Sequence, residues 1–380
     1  MNLASPWPEP GSRPRLVLDA AAGPRAAQPS PTALVGWERA WKHLHRAARP
    51  LNPFLSWEWM SSWAASGRCE ALVVGEAFPD GSLAGLLPLE RARRRGLAQL
   101  QFLAQAAGGD DLDCLLHPAA PADTAERLLT AALARARCDL IRLEGLRPDA
   151  HLRLALQAVA NTGALRRLQL EAGEWLPSLE LPHSFEALLE SHSPNFRAEV
   201  RRRRRALLRR LPQATVECAQ SPAAIAATLE HLFRLHNQRR GQKLDRGIFE
   251  SARLRAFHAA AAAKLGAVGQ ARIYLLRTPA AVLAALYGFQ AEHRFLYFQS
   301  GFDPALAEVS PGTVLLSAVI EDCIRRGTRR FEFLRGDERY KSRWTSERRL
   351  NFNAMAARSW PGAAFLALRA RVRARHARED

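Results

Sequence analysis

The sequence predicts an α+β protein, with mixed sheets flanked by helices, built as two successive units. Three observations predict it. The chain has 380 residues, a length that suits two domains of ordinary size. Apolar residues make up 48% and charged residues 24%, enough apolar material for real cores. Short apolar runs bounded by turn signals alternate with helical patterns along the chain.

Residues 1–32 are rich in Pro, Gly and Ala and read as a flexible or partly ordered segment, with one short strand at "RLVLD" (15–19). Residues 33–48 read as a helix. "NPFLSWEWMSSWA" (52–64) is a turn running into a helix that carries Trp57, Trp59 and Trp63. "CEALVVGEAFPDGSLAGLLPLE" (69–90) is a hairpin, two apolar runs about a Pro-Asp-Gly turn. Strands follow at 97–103 and 112–116, a helix at 122–137, and a strand at 138–146 in which Arg142 and Glu144 alternate with apolar positions. A further helix and strand reach Leu170.

A second unit starts at "WLPSLELPHSFEALLESH" (175–192). It continues with a basic helix (195–210), a strand (215–219), helices at 222–240 and 248–265, and a hairpin (271–290). A strand (294–303), a helix (312–327) and a strand (329–334) complete it. Both series run hairpin, strand, helix, strand, and both close on a charged-apolar strand with a Glu: "LIRLEG" (140–145) and "RFEFLRG" (330–336). This order argues for an internal duplication, with two unrelated α/β domains as the alternative. The expected divisions are 33–174, 175–360 and a basic helix or tail at 361–380.

The formal net charge is +18, from 55 Lys plus Arg against 37 Asp plus Glu, which favours anionic partners. The arginine run "NFRAEVRRRRRALLRR" (195–210) holds eight arginines in sixteen residues. Phe196, Val200, Leu207 and Leu208 supply its apolar contacts, and arginine stems can cover apolar surface while their heads stay wet. The run reads either as a structural helix beside a cleft or as a contact for phosphates or an anionic acceptor. Nucleic acid is the weaker expectation, because the run lacks the interleaved aromatic rings on which bases stack. The tail "LRARVRARHARED" (368–380) can touch an anionic membrane surface but lacks a bulky apolar face to anchor it. Five cysteines are scattered singly with no C-x-x-C pair, so no metal site is expected and a reducing compartment is favoured. The N-terminal residues show no apolar signal core, and no run reaches the roughly 18 apolar residues of a spanning helix. The expectation is a cytoplasmic protein.

"SPGT" (310–313) opens the helix of the second unit. Unsatisfied N–H groups and the helix dipole there make an anion site, and Gly312 lets a phosphate approach because no Cβ blocks it. Ordinary helix capping is the alternative. The matching stretch of the first unit, "HPAAPADT" (117–124), lacks the glycine, so that unit is expected to have no cofactor site. Neither a P-loop nor a GxGxxG fingerprint occurs.

The order "HNQRRGQ" (236–242), "ALYGFQAEHRFLYFQSGFDPALAEVSPGTVLL" (285–316) and "FEFLRGDERYKSRW" (331–344) resembles the GNAT-type acetyltransferase-like domain of the CelD/BcsL group, named for a link to cellulose biosynthesis. "NPFLSWEWMSSW" also resembles the start of that group, and the likeness spans roughly residues 50–355. The group is related to the Fem-type aminoacyl transferases, which pair two such domains. The resemblance implies a tandem GNAT fold and an acyl-CoA-dependent N-acyltransferase, with acetyl-CoA or another acyl-CoA as co-substrate. It places the CoA pyrophosphate at Ser310, Gly312, Thr313, Val314 and Leu315, and the pantetheine beside strand 294–300. An aminoacyl donor and a catalytically silent scaffold for polysaccharide synthesis are the alternatives. The implied acceptor is an amine of a small molecule or cell-envelope precursor.

Direct N-acyl transfer needs a base for the amine proton, donors for the developing oxyanion and an acid for the departing thiolate. Asp337 is the first candidate base, or else a turn residue beside Gly336. Glu332 is a second, on the strand face opposite Phe331 and Phe333. Tyr340 is the candidate acid, or a ring packed on the sheet edge. Lys341 and Arg343 are candidates to neutralise a phosphate or a substrate carboxylate. His236 sits near a helix end where the dipole favours a protonated ring, and with Arg239 and Arg240 is a candidate acceptor contact.

Overall fold

The computed structural model describes residues 15–18, 34, 36–67, 69–240, 248–249, 251–336 and 338–376. In chain order the first elements are β1 (Arg15–Leu18), α1 (Glu38–Ala47), α2 (Trp57–Ala65), β2 (Glu70–Ala77), β3 (Leu83–Arg94), β4 (Leu97–Phe102), β5 (Leu115–Leu116), α3 (Thr124–Arg135), β6 (Leu140–Leu146), α4 (His151–Asn161) and β7 (Arg167–Glu180). There follow α5 (Phe185–Glu190), α6 (Pro194–Arg210), β8 (Thr215–Ala219), α7 (Pro222–Arg240), α8 (Ala252–Ala267), β9 (Ala271–Arg277), β10 (Val282–Ala291), β11 (Arg294–Phe302), α9 (Pro311–Arg325), β12 (Arg330–Glu332), β13 (Arg348–Ala357) and α10 (Trp360–His376). Apart from β1, the N-terminal segment expected over 1–32 lies outside the described residues.

The chain forms two compact units, Met1–Glu174 with Leu350–Asp380, and Trp175–Arg349. It therefore re-enters the first unit at Leu350, where a linear division keeps it in the second up to 360. The cause is β13, whose Ala354–Ala357 pair antiparallel with β6 at Leu143–Leu140. The start of the second unit at 175 falls inside a strand, β7, and not in a linker.

In the first unit the strand order is β1-β2-β3-β4-β6-β13, with β5 on β3. β4 and β6 run parallel through three rungs, Gln99↔Leu140 to Gln101↔Arg142, joined by the α3 crossover. Trp41, Trp59 and Met60 from α1 and α2 are fully buried. The buried Glu90 accepts from Trp63 Nε1 (2.7 Å) and Gln101 Nε2 (2.8 Å), so its oxygens are not left without donors. Leu366 of α10 packs on Leu140 and Met355. The C-terminal helix begins at Trp360, within one residue of the expected 361, and carries exposed Trp360, Leu368 and Val372.

In the second unit the order is β7-β12-β11-β10-β9-β8. Alternation decides the two faces. Tyr274, Leu286, Phe295, Phe331 and Phe333 share one core with Val200 and Leu207 of α6 and Leu315, Val319 and Ile320 of α9. On the α7 and α8 side, the His258 ring meets Phe298 (5.5 Å) and Tyr287 (6.3 Å). The arginine run forms one helix capped by Ser193, whose Oγ accepts from Phe196 N. Leu208, expected to pack, is exposed because it lies one helical step off the Val200–Leu207 face. Arg204 fills that face instead: its Nε donates to Ser317 Oγ (2.8 Å) and its guanidinium lies over the Phe185 ring (4.6 Å).

Candidate active site

β11 and β12 are parallel neighbours for three rungs only, Arg294↔Arg330 to Leu296↔Glu332. β12 then ends, and Leu334 takes a left-handed φ of 54°, which turns the chain away: Phe333 N donates to Pro177 O (2.9 Å) and Gly336 N to Trp175 O (3.2 Å). β11 continues along β10 to Phe302. Between Tyr287↔Gln299 and Gly288↔Tyr297 its register slips, which leaves Phe298 as the extra residue of a bulge. A cavity of about 270 Å³ opens where the two strands part.

Four elements wall it. β11 gives Tyr297, Ser300 and Phe302, and α6 gives Glu199 and Arg203. The first turn of α9 gives Gly312 and Thr313, with Ser310 before it, and the segment after β12 gives Tyr340 and Arg343. Three hydroxyls form a chain along one wall: Tyr340 Oη donates to Tyr297 Oη (3.1 Å), which lies 2.5 Å from Ser300 Oγ.

Ser310 does not cap α9 with its side chain. Its φ of 51° puts it in the left-handed region, and its Oγ accepts from Arg203 Nη1 (2.6 Å). The guanidinium of Arg203 thus sits at the N-terminus of α9, beside Thr313 Oγ1 (3.5 Å). Glu199 pairs with Arg203 (2.5 Å) and accepts from Arg343 Nη1 (2.9 Å). A Cβ on Gly312 would stand 3.1 Å from Phe302 Cδ1, tight enough to press that ring.

The cavity brings together Ser310, Gly312, Thr313, Tyr340 and Arg343 from the sequence candidates. Val314 and Leu315 point into the core. Glu332 lies on the opposite strand face from Phe331 and Phe333, buried, with Arg330 Nε at 3.2 Å and Arg294 at 3.9 Å. Lys341 is buried and fastens the loop: its Nζ donates to Arg335 O (2.7 Å) and pairs with Glu338 (2.8 Å). His236 is buried on the other side of the sheet, where Nδ1 donates to Ser300 O (3.2 Å) and the ring meets Phe249 at 4.9 Å. Asp337 lies outside the described residues, as do the side chains of Arg239 and Arg240. Trp344 packs edge-on to Phe196 (5.0 Å), and the ring nitrogen of His192 donates to its carbonyl (2.8 Å).

Sequence reasoning did not single out Glu199, Arg203, Tyr297 or Ser300, although strand 294–300 and the arginine run contain them. Glu199 carried a signal, being the single acid inside the arginine run. Outside this site, ligand atoms of Asp113, Cys114 and His151 lie within 4.8 Å of one another. Asp113, however, caps α4, accepting from His151 N (2.8 Å) and Leu152 N (3.0 Å).

Residues 194–342 match the family described as the acetyltransferase (GNAT) domain. That span holds α6 to Lys341 and with them most of the cavity wall. Among solved structures, FemX is similar over 83% of this chain and 95% of its own, with 12% identity and a TM-score of 0.54. L-PGS from Bacillus licheniformis is similar over 93% and 99%, with 11% identity and a TM-score of 0.53. The C-terminal domain of a protein described as a lysylphosphatidylglycerol synthetase from Agrobacterium fabrum is similar over 88% and 95%, with 11% identity and a TM-score of 0.54. No curated protein sequence matches significantly. At such identities the likeness is one of fold. The mixed sheets with flanking helices are a GNAT-like acyltransferase fold, distantly shared with FemX-type proteins. Among the described residues no helix is long and apolar enough to cross a membrane.

Proposed function

We propose that the second unit is an N-acyltransferase that moves an acyl group, acetyl in the simplest case, from a CoA thioester to an amine of a small molecule or cell-envelope precursor. One observation carries the reading. The gap between β11 and β12 places a helix N-terminus, a guanidinium and a chain of three hydroxyls on the wall of a single open cavity. An open cavity also favours an enzyme over a silent scaffold, whose cleft would be blocked by side chains.

The residues fit an acyl-CoA. Arg203 Nε is buried with no hydrogen-bond partner, a donor left for an anionic oxygen. Gly312 keeps the first turn of α9 bare, and the dipole adds to the attraction. Ser310, Gly312, Thr313 and Arg203 would hold the phosphates, with the backbone of β11 from Tyr297 onward beside the pantetheine. Bound there, the thioester supplies the activated acyl group.

The protein's own groups supply proton transfer and orientation. Tyr340 Oη donates into the Tyr297–Ser300 pair, so a proton lost at Tyr340 is balanced through hydroxyls already in contact. Glu199, held between Arg203 and Arg343, offers a carboxylate to orient an ammonium before it gives up its proton. Asp337, three positions before Tyr340, stays our proposed base. The link to the CelD/BcsL group rests on the motif likeness. Aminoacyl transfer is the alternative left open by the fold shared with FemX.

The test follows thiol release from acetyl-CoA by the full chain against a panel of amines. Release that depends on an amine supports the reading. Binding of acetyl-CoA without release for any amine would favour the scaffold. No binding would point to a different activated donor.

A further inference from the structure

The first unit holds a second cleft, of about 350 Å³, whose lining is mostly polar. It lies on the face that α10 covers. Leu366 of α10 packs on Leu140 of β6, and alternation puts Arg142 and Glu144 on that same face. Arg369, one turn along α10, reaches Met355 and Glu171 (3.2 Å). Arg94 and Arg95, at the β3–β4 turn, complete the rim.

The charges do not balance. Arg142 pairs with Glu144, and Arg369 with Glu171, which also takes Arg373 (2.5 Å). Arg94 and Arg95 line the same cleft with no acidic partner among the described residues. Two guanidinium forks are therefore left facing one polar space, and a guanidinium fork matches a phosphate bidentately. Arg95 is also held at a φ of 51° in a two-residue turn with Gly96 (φ 78°). That turn suits Asn or Gly, so the arginine is not there for the turn's sake.

The floor adds an independent sign. Gln99 is 4% exposed and lines the cleft, and its Oε1 is buried without a hydrogen-bond partner. An acceptor so placed is costly unless a donor arrives. Beside it in the lining, Asn353 Oδ1 accepts from Gly145 N (3.0 Å), which leaves its Nδ2 as a donor. The cleft thus offers a cationic rim and an amide floor with both donor and acceptor.

We propose that this cleft binds a small phosphorylated polyol, with the phosphate on Arg94 and Arg95 and a hydroxyl donating to Gln99. The site is separate from the acyl-CoA cavity and does not depend on it, since every lining residue belongs to the first unit. It gives the first unit a ligand of its own.

Calorimetry on the full chain tests it, with glucose 6-phosphate, glycerol 3-phosphate, glucose and inorganic phosphate as probes. At least one phosphorylated polyol should bind more tightly than inorganic phosphate, and glucose should not bind. The Arg94→Gln/Arg95→Gln variant changes two exposed side chains, so it should melt as the natural protein does. It should lose about tenfold or more in affinity. Gln99→Leu should weaken the polyol phosphates but leave inorganic phosphate unchanged. Failure of both phosphorylated polyols to bind, or equal affinity in the double arginine variant, would overturn the proposal.

Discussion

The two units use the same crossover and finish it differently. Each has a parallel strand pair joined through a helix, β4–α3–β6 in one and β11–α9–β12 in the other, and each pair has three rungs. Past the third rung of the first unit, β4 stops at Phe102 and a buried 3-10 turn at Gln105–Ala107 moves in. Gln105 Oε1 accepts from Glu144 N (3.1 Å) and so links that turn to β6. Past the third rung of the second unit, β11 runs on to Phe302 and the space is a cavity. The first turn of α3 is correspondingly buried at Thr124 and Ala125, whereas that of α9 lines open space at Gly312 and Thr313. What separates the two units at this point is whether the gap is filled, and the glycine at the helix start is one part of that.

The largest effect should come from the hydroxyl chain. Tyr340→Phe is expected to lower kcat by roughly 100-fold, about 2.7 kcal/mol, with little change in KM for acyl-CoA, measured by steady-state thiol release. Equal rates would remove Tyr340 from the chemistry. Next is pH. Burial among aromatic rings depresses the His258 imidazole to about 3, so the folded protein holds it neutral. Between about 6.5 and 3 the unfolded chain binds the extra proton, so stability is full above pH 6.5 and falls as pH drops through that window. The loss attributable to this ring is roughly 2 kcal/mol by pH 5, and His258→Leu should flatten the urea-midpoint profile over that range.

A smaller change is expected at Glu199→Gln, which leaves two guanidiniums without their carboxylate. KM for the amine should rise about tenfold while acyl-CoA binding holds or tightens. The smallest effect lies in the first unit. Gln105→Leu removes the contact to Glu144 N and should cost about 1 kcal/mol in urea unfolding, with no effect on turnover. A loss of turnover there would break the division of roles between the units.

Much of the fold was legible because hairpins and helices announce themselves by period and turn chemistry. The strand-helix-strand crossover that each unit contains showed in element order. The return of the chain did not, because "RRLNFNAMAA" alternates weakly and gives no sign that β13 pairs with β6. The helix start at 310–313 was legible from Ser-Pro-Gly-Thr. Tyr297 and Ser300 were not. In a regular strand, residues three apart face opposite sides. The bulge at Phe298 brings both to one face, and a register slip of that kind leaves no mark in the sequence. Arg203 looked like one of several equivalent arginines, and only the packing of α6 on α9 sets it apart.

The most direct test of the central claim is acetyl-CoA binding by calorimetry, the natural protein against Gly312→Val. The added Cβ would stand 3.1 Å from Phe302 Cδ1, and both residues line the cavity at the start of α9. The account predicts roughly micromolar binding by the natural protein, weakened about tenfold or more in the variant at an unchanged melting temperature. No binding by the folded natural protein, or equal binding by the variant, would contradict it.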